Sequence, residues 1–250
     1  MGRGSSKAGG GGSGGAKPAN TPSGISYDQF MKMSEAQRFS TIQNIVADNS
    51  IQVPNYLDGS DTSKVIYALG INGKPAVVSD TALDAMPGKE VFRTVYEGSA
   101  MPPPTSADIL DQIRNGDYTQ LSGSGGSVHG RALYFATNFT GSTAYGSRGR
   151  NALVSRGKIN PNAKIIKEST LDAQIRNKNV RLSSSWEDNM GLYALSQGID
   201  GWYDGSYTMV VNRSNITMSS QNKSIKKALK SGKPSARQGA VSWKTAANMP

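Results

Sequence analysis

The stretch GRALYFATNFTGSTAY, residues 130–145, decides the interpretation of this chain. Within it, residues 131–136 are mostly apolar and include two aromatic residues, a composition that predicts a β-strand. A glycine-rich segment, residues 122–127, leads into this strand. In the simplest interpretation, Leu133 and Phe135 point into a hydrophobic core and Tyr134 lies on the opposite face.

Helices and strands are predicted on both sides of this stretch. Residues 34–37 (SEAQ) form a capping box ahead of apolar residues at helical spacing. Asp61 or Thr62 is expected to cap a second helix, residues 64–69, and residues 105–108 to cap a third after the Pro-rich segment 101–104. Strands are predicted at residues 91–96, 154–159, 163–166 and, as the last, 207–212, with a short helix at 192–197. Because strands and helices do not alternate regularly, the predicted class is α+β.

The charge of the chain is concentrated at its two ends. The 250 residues carry 28 Lys and Arg against 18 Asp and Glu, a formal net charge of +10. Residues 1–24 and 220–250 contain no acidic residue and account for this excess, so residues 25–219 are neutral. The Gly/Ser-rich composition of residues 1–24 predicts a flexible tail, and residues 220–250 are interpreted in the same way. Such tails are either solubilising or weak nucleic-acid contacts through phosphate.

Composition excludes several classes of protein and site. The chain has no cysteine, which excludes disulfides, thiolate zinc sites and a thiol nucleophile. It has one histidine, His129, which excludes histidine-rich metal sites and is interpreted as a loop residue near the pocket. Because no apolar run is long enough to cross a bilayer and no signal sequence is recognisable, we expect no membrane contact and a cytoplasmic or virion-associated protein.

Residues 130–145 resemble the second signature of the ADP-ribosyltransferase superfamily, in its poly(ADP-ribose) polymerase-like form. The positions in register are Gly130, Ala132, Leu133, Tyr134, Phe135, Ala136, Ser142 and Tyr145. The resemblance implies that Tyr134 and Tyr145 stack on the nicotinamide ring of NAD, which is the substrate, and that Ser142 binds its carboxamide. A cationic pyridinium between two aromatic faces gains about 1–2 kcal/mol from stacking and cation–π attraction.

Two further signatures of the family are matched less completely. Residues 91–93 (VFR) resemble the first signature in its toxin-like form, which implies that Arg93 grips NAD with its planar guanidinium. Thr94 occupies the position at which polymerase-like members have a glycine that meets the carboxamide. Residues 207–212 (YTMVVN) lie in place of the third signature, whose first residue is a glutamate, and here that residue is Tyr207.

The missing glutamate bears directly on activity. In the family this carboxylate binds a ribose hydroxyl and stabilises the oxocarbenium-like transition state. Tyr207 offers a hydroxyl but no charge, so Asp204 or Asp200 is considered as a substitute, although an aspartate before glycine is also ordinary turn chemistry. The candidate catalytic residues are therefore Arg93, Tyr207 and Asp204. The candidate NAD-binding residues are Arg93, Thr94, Gly130, Tyr134, Ala136, Ser142 and Tyr145.

The resemblance implies a domain of two packed β-sheets with flanking helices, a split β-sandwich, over residues 88–219. Residues 25–87 are expected to form an N-terminal helical lobe. The expected activity is mono-ADP-ribosylation of an acceptor, most simply a protein, or hydrolysis of NAD, in a phage- or bacteria-encoded member. Two alternatives stay open: a catalytically inactive NAD-binding or interaction protein, and a nucleic-acid accessory protein that acts through its tails.

Overall fold

The computed structural model describes residues 21–54, 57, 59–95, 129–139, 141–142 and 153–224. Within these residues lie six α-helices: α1 (Tyr27–Met31), α2 (Glu35–Ala47), α3 (Asp61–Ala68), α4 (Asp80–Ala85), α5 (Glu168–Lys178) and α6 (Trp186–Ser196). The strands are β1 (Ala76–Val78), β2 (Lys89–Val95), β3 (Leu133–Ala136), β4 (Leu153–Ile159), β5 (Ile165–Lys167), β6 (Gly201–Tyr203), β7 (Tyr207–Val210) and β8 (Ile216–Ser224). The predictions at residues 101–104, 105–116 and 122–127 and at Tyr145 lie outside the described residues.

The eight strands form one mixed sheet in the order β1-β8-β4-β2-β3-β7-β6-β5. Only the two edge pairs, β1–β8 and β5–β6, are parallel, and the central pairs are antiparallel. The fold is therefore of the mixed α/β kind. The expectation of two separate sheets differs from this pairing, because the Phe92–Ala136 pair joins the half that ends at β2 to the half that begins at β3.

Two apolar cores cover the two faces of the sheet. The first, which we call the helix-side core, joins α1, α2, α3, α5 and α6 to the sheet, with Trp202 and Met209 on the strand side. The second, the opposite-face core, contains residues from both halves of the sheet: Val91, Leu133, Phe135, Ile159, Val210, Ile216 and Met218. Because its members come from β2, β4 and β8 as well as β3 and β7, the two halves of the sheet bury apolar side chains in common.

Local sequence explains most helix starts. Ser34 caps α2 as predicted: its hydroxyl accepts from the amide of Gln37, and the Gln37 side chain accepts from the Ser34 amide. The predicted cap of α3 is wrong by one residue, since Ser60 is the N-cap. Asp61 instead accepts a hydrogen bond from Ser183 Oγ at 2.6 Å, and Thr62 is bonded to Asp188. The two side chains predicted to cap α3 therefore form hydrogen bonds with residues distant in the sequence and do not cap the helix.

The structure moves three of the predicted boundaries. Residues 21–24 contact the helical lobe, since Ser23 donates from its amide and its hydroxyl to the carbonyl of Ala68. The prediction places residues 76–85 in the helical lobe. In the structure, β1 is a strand of the sheet, paired with β8, and α4 packs on the sheet through the contact of Asp84 with Arg156 of β4. The strand at residues 207–212 is not the last, because β8 follows it and extends to Ser224, within the predicted basic tail.

Helix α6 is longer than predicted and almost entirely buried. Its N-cap is Ser185, whose hydroxyl accepts from the amide of Asp188 at 3.2 Å. The helix is buried on nearly every side, because it packs between α2, α3 and α5 in the helix-side core. None of the helices among the described residues has both the length and the apolar character that crossing a membrane requires.

Candidate functional site

The three strands that carry the candidate signatures are neighbours at the centre of the sheet. Strand β3 pairs with β7 over four residues, and its last residue, Ala136, pairs with both Phe92 of β2 and Tyr207 of β7. Arg93, Tyr134 and Tyr207, which are far apart in the sequence, are therefore brought onto adjacent strands. Their juxtaposition depends on strand order, which no local pattern encodes.

Arg93 is buried and bridges β2 to β3. Its side chain is 7% exposed, and its Nη1 donates to the main-chain carbonyl of Tyr134 at 2.9 Å. This bond engages one of the five N–H donors of the guanidinium and holds the group beside β3. Thr94, the next residue, pairs with Val154 of β4, two positions beyond the pair of Phe92 with Ala136 that links β2 to β3.

Tyr134 is held in one orientation by its hydroxyl. The hydroxyl donates to the carbonyl of Gly130 at 2.6 Å, and burial raises the pKa of the phenol, with Glu168 raising it further. Its ring packs against the helix-side core. Tyr134 pairs in register with Met209 and Ala136 with Tyr207, so Tyr134 and Tyr207 lie on the same face of the sheet.

Gly130 has no room for a side chain. Its φ is +96°, and a Cβ atom at this position would lie 2.7 Å from Trp202 Cζ2 and 3.0 Å from Met190 Cβ. The family resemblance marks this position as glycine, and the packing of β3 against α6 and β6 supplies a physical reason for it. The same close approach lets Trp202 Nε1 donate to the carbonyl of His129 at 2.7 Å.

Ser142 lies in the segment that follows β3. It is 1% exposed, and its amide donates to the carbonyl of Asn138 at 3.2 Å, within a turn that Asn138 Oδ1 closes by accepting from Gly141 at 2.7 Å. Phe139 in the same segment contacts Phe92 of β2 edge to face. This segment is thereby anchored to β2. Tyr145, which is expected to stack on the nicotinamide together with Tyr134, lies beyond the described residues.

The two aspartates considered as substitutes for the glutamate have different environments. Asp200 is structural: one carboxylate oxygen accepts from the Lys164 amide and the other from Asn212 Nδ2, each at 2.8 Å. Asp204 is in the turn between β6 and β7. Its Oδ1 accepts from the amides of Ser206 and Tyr207, and its Oδ2 lies 3.8 Å from His129 Nε2.

The structure adds one residue to the site that the sequence analysis did not consider. Glu168 is the first residue of α5, and both its carboxylate oxygens lie 3.0 Å from His129 Nδ1. His129 is therefore placed between Glu168 and Asp204, beside Gly130 and Tyr134. Leu171 and Ile175, spaced by one helical turn, were the available signal for α5, but nothing in the sequence indicated that its first residue meets His129.

Two pockets in the described part of the chain lie away from the candidate residues. One, of about 400 Å³, lies where the end of α5 meets the start of α6, and its lining includes Arg176, Arg181 and Trp186. The other, of about 430 Å³, lies along α2. None of the candidate residues lines either pocket.

Three comparisons with known proteins give no family for this chain. No protein-family model matches it, and no curated protein and no solved structure is significantly similar to it. Any function assigned to the chain therefore depends on its own residues and their arrangement.

Proposed function

We propose that this chain binds NAD at the centre of its sheet and cleaves the bond between nicotinamide and ribose, passing ADP-ribose to an acceptor or to water. The supporting observations are that Tyr134 and Tyr207 lie on the same face of the neighbouring strands β3 and β7, and that Arg93, whose position on β2 alternates to the other face, donates from its guanidinium to the Tyr134 carbonyl. These are the residues that the sequence resemblance assigns to NAD binding and catalysis, and they come from segments separated by more than 40 residues.

In this proposal each residue contributes a distinct interaction. Arg93 supplies a permanent positive charge that binds the pyrophosphate or ribose hydroxyls. Tyr134, whose hydroxyl is fixed by Gly130, offers its ring to the nicotinamide at little entropic cost because the ring is already ordered. Ser142 holds the carboxamide, and Tyr207 donates to or accepts from a ribose hydroxyl. The acceptor is a protein, a nucleic acid or water.

The second candidate is an NAD-binding protein without catalysis, and Tyr207 favours it. The departing nicotinamide leaves positive charge on the ribose, and a carboxylate stabilises that charge far better than a neutral phenol. Asp204 has one carboxylate oxygen engaged by two main-chain amides of its own turn, so only Oδ2 remains for a substrate. On this account the chain binds NAD and turns it over slowly or not at all.

One experiment separates the two candidates. Nicotinamide release from NAD is measured for the full chain and for Tyr207→Glu, which restores the carboxylate that the family signature contains. If residue 207 faces the reacting ribose, Tyr207→Glu increases the rate of nicotinamide release at least about ten-fold. This is less than the factor of about 100 to 1000 that one electrostatic contact to a transition state contributes to kcat. Tyr203→Glu on the neighbouring strand β6 is the matched control and leaves the rate unchanged.

Binding is tested separately from turnover by calorimetric titration with NAD. Arg93→Lys keeps the charge but loses the planar fork, and we expect it to weaken NAD binding about ten-fold or more. Arg176→Lys, at an exposed arginine on α5, is its control. Mass spectrometry of a host-cell lysate incubated with the chain and NAD identifies the acceptor. Absence of both NAD binding and turnover in the folded wild-type chain would refute the proposal.

A further inference from the structure

His129 is the meeting point of three elements that are distant in the sequence. It precedes β3, Glu168 begins α5, and Asp204 lies in the β6–β7 turn. Both Glu168 oxygens are 3.0 Å from His129 Nδ1, and Asp204 Oδ2 is 3.8 Å from His129 Nε2. One ligand atom from each of the three residues lies within 4.8 Å of the other two.

The main chain holds this cluster in place. Trp202 Nε1 donates to the carbonyl of His129, and the next residue, Gly130, adopts a conformation with φ +96° against Trp202 and Met190. Asp204 Oδ1 accepts from the amides of Ser206 and Tyr207, which fixes the carboxylate and directs Oδ2 to His129. Buried packing and turn geometry therefore fix the main chain at His129 and the carboxylate of Asp204, and Glu168 is the ligand whose side chain adjusts.

The charge of the cluster calls for a cation. Glu168 and Asp204 supply two negative charges, and across the described parts of the chain no Lys or Arg forms an ion pair with either of them; their ion-pair partner is His129. Two carboxylates at one site repel each other and favour binding of a positive ion. Exposures of 37% for His129 and 22% for each carboxylate leave an entry path and room for water ligands.

We propose that His129, Glu168 and Asp204 bind a divalent transition-metal ion, for which Zn²⁺ is the probe. One imidazole nitrogen with two carboxylate oxygens is a donor set that suits Zn²⁺ and related ions better than Mg²⁺, which prefers oxygen alone. Ligand distances of about 2.0–2.2 Å require the three ligand atoms to draw closer together. The ion binds His129 Nε2, the ring nitrogen that faces Asp204. The Glu168 carboxylate, which lies beside Nδ1 on the other side of the ring, rotates toward the ion.

The site adjoins the proposed NAD site and shares Asp204 with it, but the metal can be tested alone. Asp204 is joined to Tyr207 by two main-chain-mediated hydrogen bonds, so an ion on Asp204 would stiffen the turn that leads into β7. Because neither Tyr134 nor Arg93 is needed for the metal, binding is tested without NAD, and failure of one proposal leaves the other standing.

The test is calorimetric titration of the full chain, prepared without a polyhistidine tag, with Zn²⁺. We expect saturable binding of one ion per chain. Because His129 is the only histidine, its imidazole NMR signals report directly on ligation. Co²⁺, added in place of Zn²⁺, reports the coordination geometry by its visible absorption.

Two substitutions remove one ligand charge each with little change in shape. Glu168→Gln and Asp204→Asn should each weaken Zn²⁺ binding at least ten-fold, and Asp204→Asn retains Oδ1 as an acceptor for the turn. Asp172→Asn, four residues after Glu168 on α5, removes the same charge from an exposed carboxylate and should leave the affinity unchanged. Circular dichroism and thermal unfolding confirm that each variant folds.

Several outcomes would overturn the proposal. No saturable Zn²⁺ binding at millimolar ion would do so, as would unperturbed His129 signals in the saturated chain. Equal weakening by Asp172→Asn would reduce the effect to general electrostatics, and Mg²⁺ binding as tight as Zn²⁺ binding would exclude a site ligated by the imidazole.

Discussion

Arg156 of β4 is the most informative position for testing how the sheet is held together. Its side chain is 2% exposed, and its guanidinium contacts three carboxylates: Asp84 at 2.5 Å, Glu90 at 3.1 Å and Asp80 at 3.2 Å. Although burial opposes the charge, the hydrogen bonds that Arg156 donates to these carboxylates raise its pKa above the usual range. The guanidinium thereby links α4 and β2 to β4.

The cost of removing this charge follows from the burial of the arginine and the exposure of its partners. Breaking a buried ion pair by deleting one member costs about 3–5 kcal/mol. The three carboxylates are 21–49% exposed and can regain water, which places the cost at the lower end. We expect Arg156→Met, which keeps the length of the side chain, to lower the free energy of unfolding by about 3 kcal/mol.

The assay is equilibrium unfolding in urea, followed by far-ultraviolet circular dichroism. Lys178→Met is the matched control, because Lys178 pairs with Glu35 on the surface, where each side chain is more than a third exposed. It should cost far less than Arg156→Met, because exposed ion pairs contribute little to stability. The reasoning would be refuted if Arg156→Met cost less than about 1 kcal/mol or no more than the control.

Three further predictions concern packing and pH. Gly130→Ala should lower the free energy of unfolding by at least about 2 kcal/mol in urea unfolding, because its Cβ would overlap Trp202 and its φ is +96°; an unchanged midpoint would contradict this. Thr62→Val should cost about 1–2 kcal/mol in thermal unfolding, since the Thr62 hydroxyl donates to the buried carboxylate of Asp188 at 2.7 Å; no loss would mean that the carboxylate is satisfied without it. Burial, aided by Asp200, raises the pKa of Tyr27 from 10.0 to about 12, so the stability it contributes is complete below pH 10 and is lost as the pH rises toward 12; Tyr27→Phe should flatten the alkaline part of the stability profile, and an unchanged slope would exclude Tyr27 as its cause.

Local sequence carried enough information for most single elements. Ser34 and the apolar residues after it predicted α2 because a capping box and helical spacing act within a few residues. The β-branched and aromatic run around Arg93 predicted β2, and Leu133 with Phe135 predicted β3. Helix α6 was predicted too short, since a helix buried on nearly all sides lacks the polar face that marks its period.

For the candidate site as well, the sequence gives the residue types, and the structure gives their partners. The residue types at Arg93, Tyr134 and Ser142 and the replacement of a glutamate by Tyr207 are properties of the sequence alone. The sequence did not reveal that each carboxylate oxygen of Asp200 accepts a hydrogen bond, from Lys164 and from Asn212, because these partners are 36 and 12 residues away in the chain.

Composition and local patterns therefore give the neutral centre between basic ends, the main helices and strands, and the residue types available for chemistry. The order of the strands and the contact of His129 with Glu168 and Asp204 are known only from the folded chain. Helix caps, turns and side-chain periodicity can be read locally because they depend on residues close together in the chain. Strand order and the convergence of charges depend instead on burial of two apolar cores, whose members come from the whole described chain.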